Sequence, residues 1–247
     1  MKFMKFKMMS PLVALVALIT LAIMTVVMSQ PQGDPALTEV WEPVPEIVDA
    51  SPGHPPSDAI VLFDGSDLAE WNGDWKLEED AVTVVPGTGN LVAKRAFGNV
   101  QLHLEWRTPS VIEGEGQGRG NSGVFLMERY ELQVLDSYEN TTYSNGQAGS
   151  LYKQHVPLVN ASRPPGEWQS YDVIFMAPRF RDDGTLSQPA TFTVLHNGVL
   201  IQNHVDVQGT TTFIGEAEYE AHDAKAPLML QDHTNPVSYR NIWIREW

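Results

Sequence analysis

Residues 100–107, VQLHLEWR, alternate without a break. Val100, Leu102, Leu104 and Trp106 fall on one face of an extended chain, and Gln101, His103, Glu105 and Arg107 on the other. Successive side chains of a strand point to opposite sides, so this segment predicts an antiparallel strand with one face on a core and one in water. Residues 191–196 and 199–205 are similarly β-rich and flank Asn197-Gly198, a dipeptide that accepts the positive φ angles of a type I′ turn; together they predict a hairpin. Shorter runs at 124–127, 130–135, 171–175 and 241–244 predict further strands, separated by the turn-rich pieces EGEGQGRGN (113–121), RPPG (163–166) and RDDG (181–184). Past the N-terminus no segment holds a helical period beyond about ten residues, which excludes a βαβ fold because it needs crossover helices. Many short strands in one domain predict an all-β, antiparallel sandwich of the jelly-roll kind.

The N-terminus is of a different character. Lys2, Lys5 and Lys7 precede the apolar run Pro11–Met28, and Ser29 follows it. A basic flank, an apolar core and small residues at the end predict a secretory signal peptide over 1–29, hence an exported chain, periplasmic or secreted. The run is also at the lower limit for spanning a bilayer, so an uncleaved anchor, and with it a membrane partner, is the competing expectation. Residues 30–57 hold seven prolines and predict an extended linker, leaving 58–247 as the folded domain. Across the 247 residues, 16 Lys and Arg stand against 31 Asp and Glu, a net charge of −15, which argues against nucleic acid as a partner. The absence of cysteine excludes disulfides, zinc–thiolate sites and a thiol nucleophile.

Three segments could carry chemistry. In NSGVFLMERYELQVLDS (121–137), strand parity sends Glu131, Gln133 and Leu135 one way and Tyr130, Leu132 and Val134 the other. Glu131 and Gln133 then either lie on a solvated sheet face or project into the hollow of a curved sheet. Asp136 closes the strand, where a turn-capping role at Ser137 is the plainer one. In LMLQDHTNPVSYRN (228–241), Gln231, Asp232 and His233 gather where a strand enters a turn, and Arg240 and Asn241 open the next strand. Asp232 could orient His233 as a base only across a bent backbone, since neighbours on a strand face opposite ways. The third segment supplies Tyr152, Lys153, Gln154 and His155, then Asn160, then Glu167 and Trp168. Aromatic rings beside polar groups suit sugar faces and hydroxyls, whereas Trp71, Trp75, Trp106 and Trp243 fit core or rim. The seven His are dispersed and form neither His-x-His nor His-Glu-x-x-His, so metal ligation is possible but unspecific and no metal site is assigned, and no Gly-x-Ser-x-Gly is present.

Taken in order, FDGSDLAEW (63–71), LEWR (104–107), NSGVFL (121–126), YELQVLDS (130–137), PPGEWQSYDVIFMAPRF (164–180), HNG (196–198) and LQDHTNPVSYRNIWIR (230–245) resemble the 3-keto-disaccharide hydrolase domain family. The resemblance implies a concanavalin A-like sandwich and cleavage of glycosides already oxidised to a ketone at sugar C3. Such a carbonyl acidifies the C2–H bond, so cleavage can run by proton abstraction, an enolate, departure of the C1 oxygen and addition of water. The resemblance locates the motifs, and residue chemistry suggests the roles. Glu131 or His233 is the base, and Lys153 and Arg240 face the enolate. Asp136 and Asp232 orient or protonate, while Asn121, Gln133, Tyr152, Glu167 and Trp168 hold the sugar. An oxidised glycoside is the expected partner; no cofactor is required by the sequence, and a divalent cation is possible but unsupported by it. A non-catalytic carbohydrate-binding sandwich and a different glycosidase or lyase on the same fold remain the alternatives.

Overall fold

The computed structural model describes residues 33–247. The expected signal segment lies outside them. Among the described residues no helix is long and apolar enough to cross a membrane. Residues 33–47 carry one 3₁₀ turn, Pro35–Thr38, started by Asp34, whose Oδ1 accepts from the Ala36 N–H at 3.1 Å. Residues 49–57 form a loop closed by Ser57, whose N–H donates to the Asp49 carbonyl and whose hydroxyl accepts from the Asp49 N–H.

The strands are β1 (Ile60–Phe63), β2 (Trp71–Asn72), β3 (Lys76–Glu78), β4 (Ala81–Thr83), β5 (Leu91–Phe97), β6 (Val100–Arg107), β7 (Ser122–Leu126) and β8 (Tyr130–Val134), then β9 (Gln169–Met176), β10 (Arg179–Phe180), β11 (Leu186–Gln188), β12 (Thr191–His196), β13 (Val199–Asp206), β14 (Ala226–Leu230) and β15 (Ser238–Glu246). All pairings are antiparallel. One eight-stranded sheet runs β13-β12-β9-β6-β15-β4-β3, with β1 also on β15; a five-stranded sheet runs β2-β5-β14-β7-β8. Their apolar faces pack into one core. The all-β sandwich expected from the alternating pattern is the fold.

Strand β6 keeps the expected bounds and alternates buried and half-buried residues along its whole length. The β12–β13 hairpin turns at Asn197 and Gly198, whose φ angles of 52° and 77° suit a type I′ turn. Pro227 lies within β14 beside a register shift, the place in a sheet where a missing N–H is tolerated. Trp71, Trp75, Trp106 and Trp243 are all buried.

Two tyrosines of the larger sheet cross the core to the smaller one. Tyr171 on β9 donates to the Gln133 carbonyl at 2.8 Å, and Tyr239 on β15 donates to Ser122 Oγ at 2.7 Å. Ser122 in turn donates to the Gln231 carbonyl at 2.6 Å. These bonds fix β7, β8 and the end of β14 from below, so side chains on the outer face of the smaller sheet stand on an anchored floor.

The same core buries a histidine. His196 is 1% exposed, packed against the rings of Trp106 and Tyr171. Its Nε2 meets Gln169 Oε1 at 2.8 Å, while Nδ1 has no partner. Burial, with the Arg163 charge adding to it, pushes its pKa down to about 4. The folded ring therefore stays neutral where the unfolded chain takes up a proton, at about pH 6.5. This contribution to stability is complete above pH 6.5 and is lost as the pH falls towards 4. Urea unfolding at pH 7 and pH 4.5 should show a change in stability less favourable in the wild type than in His196→Leu by on the order of 1–3 kcal/mol, since every other titrating group is common to both proteins; equal changes in both proteins would contradict this.

Candidate functional site

Strand β8 is an edge strand, yet its outer edge is closed. The Gln133 N–H donates to the Ser150 carbonyl at 3.0 Å, the Gly149 N–H to the Gln133 carbonyl at 2.9 Å, and the Tyr152 N–H to the Glu131 carbonyl at 3.2 Å. The Glu131 N–H donates to Thr211 Oγ1 at 3.0 Å. With β7 on the other side, the backbone under Glu131 and Gln133 cannot shift, and parity sends both side chains to the outer face. There they flank a cavity of about 650 Å³.

Glu131 stands opposite Phe125 and Gln133 opposite Gly123. A Cβ on Gly123 would come within 2.7 Å of Glu131 Oε1 and 2.8 Å of the Phe125 ring, so glycine there makes the space the carboxyl occupies. The amide atom of Gln133 nearest Glu131 lies 3.1 Å from its Oε1 and 2.9 Å from the Ser122 carbonyl oxygen; both neighbours are acceptors, which makes that atom the nitrogen. The far end of the same amide meets Gln117 at 3.0 Å. Gln117 is itself lodged 3.1 Å from Thr142 Oγ1 and 2.8 Å from the Gly146 carbonyl.

Glu131 is 6% exposed. Burial pushes its pKa from the usual carboxylate range up to about 8. One hydrogen bond from a neutral amide does little to offset the lost hydration of the ionised form. At neutral pH the cavity wall thus presents a carboxylic acid, able to donate a proton.

Aromatic rings line another part of the wall: Phe125, Tyr143, Tyr152 and Phe213. The hydroxyls of Tyr143 and Tyr152 are 2.6 Å apart, and burial together with that bond raises the Tyr152 pKa. Two phenols have two protons and their mutual bond uses one, leaving the other for a guest in the cavity. Asn121 lines the cavity with its backbone N–H bound to Asn235 Oδ1 at 2.7 Å and its Nδ2 donating to the Gln117 carbonyl at 2.7 Å.

His233 also lines the cavity, exposed at its rim. The turn that carries it is built by its neighbours. Asp232 Oδ2 accepts from the N–H groups of Gly87 and Gly89, and Oδ1 from that of Thr234. Asp232 therefore faces away from the cavity, and His233 faces into it. Of the residues singled out from the sequence, Glu131, Gln133, Asn121, Tyr152, Gln231 and His233 converge here.

The others do not line this cavity. Asp136 is 3% exposed and ion-paired to Arg119 at 2.7 Å, where it holds the 113–121 loop against residues 136–140. Lys153 is turned behind Tyr152 by a backbone φ of 60°, and its ammonium binds the Phe213 carbonyl. Arg240 stands on the outer face of the larger sheet, bonded to Glu105 at 2.7 Å and Asp80 at 2.9 Å. Its guanidinium lies 4.2 Å from the ring centre of Trp168, and that of Arg107 lies 4.5 Å from it. Arg240 and Trp168 thus belong to the opposite side of the sandwich, and Glu167, exposed beside Trp168, goes with them. Among the described residues, no three His, Asp or Glu side chains gather closely enough to hold a metal ion.

Gln117, Tyr143, Thr211 and Phe213 complete the cavity without having stood out in the sequence. They lie in loops with no period. Phe125 was accessible to parity, since in a 126–130 hairpin it must face Glu131.

No curated protein is similar to this chain. A solved structure of a candidate glycosyl hydrolase from Parabacteroides distasonis is 45% identical and superimposes with a TM-score of 0.85, covering 88% of this chain and all of that one. A second candidate glycosyl hydrolase from the same organism shares the fold at 19% identity and a TM-score of 0.56, over 77% of this chain and 94% of that one. Residues 58–245 match the family described as a 3-keto-alpha-glucoside-1,2-lyase-like domain, the family its motifs resemble. With a polar-walled aromatic cavity on the outer face of its smaller sheet, this chain is a carbohydrate-active enzyme and belongs to the 3-keto-alpha-glucoside-1,2-lyase-like domain family.

Proposed function

We propose that the cavity cleaves glycosides carrying a ketone at sugar C3, with His233 as the base and protonated Glu131 as the acid. The observation that carries this reading is a buried carboxylic acid, with a pKa near 8, in one cavity with an imidazole. Two titratable groups held in unlike surroundings are what paired acid and base work requires. His233 takes the C2 proton that the C3 carbonyl has acidified. The electron pair moves onto the C3 oxygen as an enolate. As it returns, the C1–O bond breaks, and Glu131 delivers its proton to the departing oxygen. Addition of water across the resulting C1=C2 bond gives the free 3-ketosugar, so the net change is hydrolysis.

Lys153 and Arg240, expected to face the enolate, lie elsewhere. The donors within the cavity are neutral: the spare phenol proton of the Tyr143–Tyr152 pair and the amides of Asn121 and Gln231. Neutral donors aimed at a developing oxyanion are effective, because they need no reorganisation as charge appears. The aromatic rings supply apolar faces to a sugar.

Three outcomes test the reading. Turnover of a 3-keto-disaccharide, followed by release of the free sugar, is expected to exceed that of the unoxidised disaccharide; binding without turnover would make the domain a carbohydrate-binding module instead. Glu131→Gln and His233→Gln are each expected to lower kcat by about 10²–10⁴, the contribution of one positioned acid or base; wild-type rates in either variant remove that residue from the mechanism. The pH profile fixes the direction of proton flow. An acid must carry its proton, so kcat/KM should fall as pH rises through about 8, with Glu131→Gln lacking that limb. A rate that climbs through pH 8 would make Glu131 the base.

A further inference from the structure

Residues 153–155 run beside residues 206–213 and hold them with three consecutive side chains. His155 Nε2 meets the Asp206 carbonyl at 2.7 Å. Gln154 donates to the Gly209 carbonyl at 3.1 Å and accepts from the Gln208 N–H at 2.8 Å. The Thr211 N–H donates to the Arg129 carbonyl at 2.9 Å, and its hydroxyl accepts from the Glu131 N–H. The base of the loop is therefore tied at several points. Its tip, Phe213 and Ile214, is 69% and 82% exposed, and Phe213 is nonetheless part of the cavity wall.

What reaches that tip is Lys153. Its Nζ donates to the Phe213 carbonyl at 2.5 Å and lies 4.3 Å from the centre of the Phe213 ring. It is also 5.8 Å from the ring centres of Tyr143 and of Tyr152. One ammonium thus faces three rings from three separate segments, all of them cavity walls. It does so from behind, beside a separate void of about 40 Å³ that it shares with Thr212, Gly215 and Glu216. The side chain points there because its backbone is left-handed, a conformation that costs a non-glycine residue energy and persists where surroundings impose it. Here Asn145 imposes it: the Lys153 N–H donates to the Asn145 carbonyl at 2.7 Å, and Asn145 Nδ2 donates to the Lys153 carbonyl at 3.1 Å.

We infer that Lys153 is a positioning residue that gathers Phe213 and the Tyr143–Tyr152 pair around one ammonium, and so keeps the unsaturated intermediate in the cavity until water adds to it. The inference rests on the elimination reading above. Elimination alone releases the aglycone and leaves an enone with a C1=C2 double bond. Water then adds its hydroxyl to C1 and its proton to C2. An enzyme whose outer wall is loose loses the enone to solvent and acts as a lyase; one whose wall is pinned completes the hydrolysis. Lys153 sets that partition without touching the reacting atoms.

The test compares Lys153→Met, which keeps the aliphatic stem and loses the charge, with Lys153→Arg, which restores a cation. Two readouts are taken on the full chain. Hydrogen exchange at residues 211–215 should quicken at least fivefold in Lys153→Met and return towards wild type in Lys153→Arg. With a 3-keto-disaccharide, Lys153→Met should raise KM roughly tenfold, the loss of one cation–π contact and its hydrogen bond, with kcat within about threefold. It should also raise the fraction of product released as the enone, and arginine should reverse both changes. Unchanged exchange together with unchanged KM and product ratio would overturn the inference, as would a fall in kcat alone. If the wild type turns over no 3-keto-glycoside but methionine still loosens the loop and arginine restores it, the proposed reaction fails while the positioning role stands.

Discussion

Everything at this site depends on a carboxyl group that cannot leave its place. Glu131 sits on a strand hydrogen-bonded along both edges, by β7 on one side and by residues 149–152 with Thr211 on the other. Moving the side chain to water would require breaking that ladder, so the carboxyl meets its lack of hydration by keeping its proton instead. The consequence for folding has a definite sign. A carboxyl whose folded pKa is raised to about 8 contributes stability that is complete below its unfolded value and is lost as pH rises through the folded one. A fold that tolerates this cost at one position, while spending Gly123 to make room for the group, is organised around its chemistry.

The rest of the sandwich supports that position from two directions. From below, Tyr171 and Tyr239 reach across the core from the larger sheet, binding the Gln133 carbonyl and the Ser122 hydroxyl, so the floor of the cavity is fixed to a second layer. From the side, loops with no regular structure bring in Gln117, Tyr143 and Phe213. Polar groups are their anchors: buried Asp136 with Arg119, half-buried Asp232 with the 87–89 backbone, and exposed Lys153 with the Phe213 carbonyl. None of these three lines the cavity, and each sets the shape of a segment that does. Charged residues expected to act on substrate act on loops.

Much of the fold was legible because strands with one buried face alternate. Val100–Arg107 and the Asn197-Gly198 hairpin could be placed from pattern alone, and the parity of 130–135 put Glu131 and Gln133 on a common outward face. Strand β5 was not, since LVAKRAF buries Leu91, Ala93 and Phe97 but leaves Lys94, Arg95 and Ala96 outside, which breaks the period of two. In β15 a register shift between Arg240 and Trp243, with Asn241 at φ 47°, hid the true length of the strand. The site was legible where it sits on strands and obscure where it sits on loops. Which sheet presents a residue to solvent is a tertiary fact, and so Arg240 and Trp168 looked like partners of Glu131 although they lie across the sandwich from it. The direction of Lys153 was equally hidden, being set by a left-handed backbone that Asn145 enforces.

The central claim is that Glu131 is a neutral acid at physiological pH, and its titration can be watched directly. Infrared difference spectra of the free protein, taken against Glu131→Gln, should show a carboxylic C=O band at pH 7 that gives way to carboxylate bands as the pH passes about 8. A carboxylate signal already complete at pH 6, with its midpoint near that of an ordinary glutamate, would contradict the account.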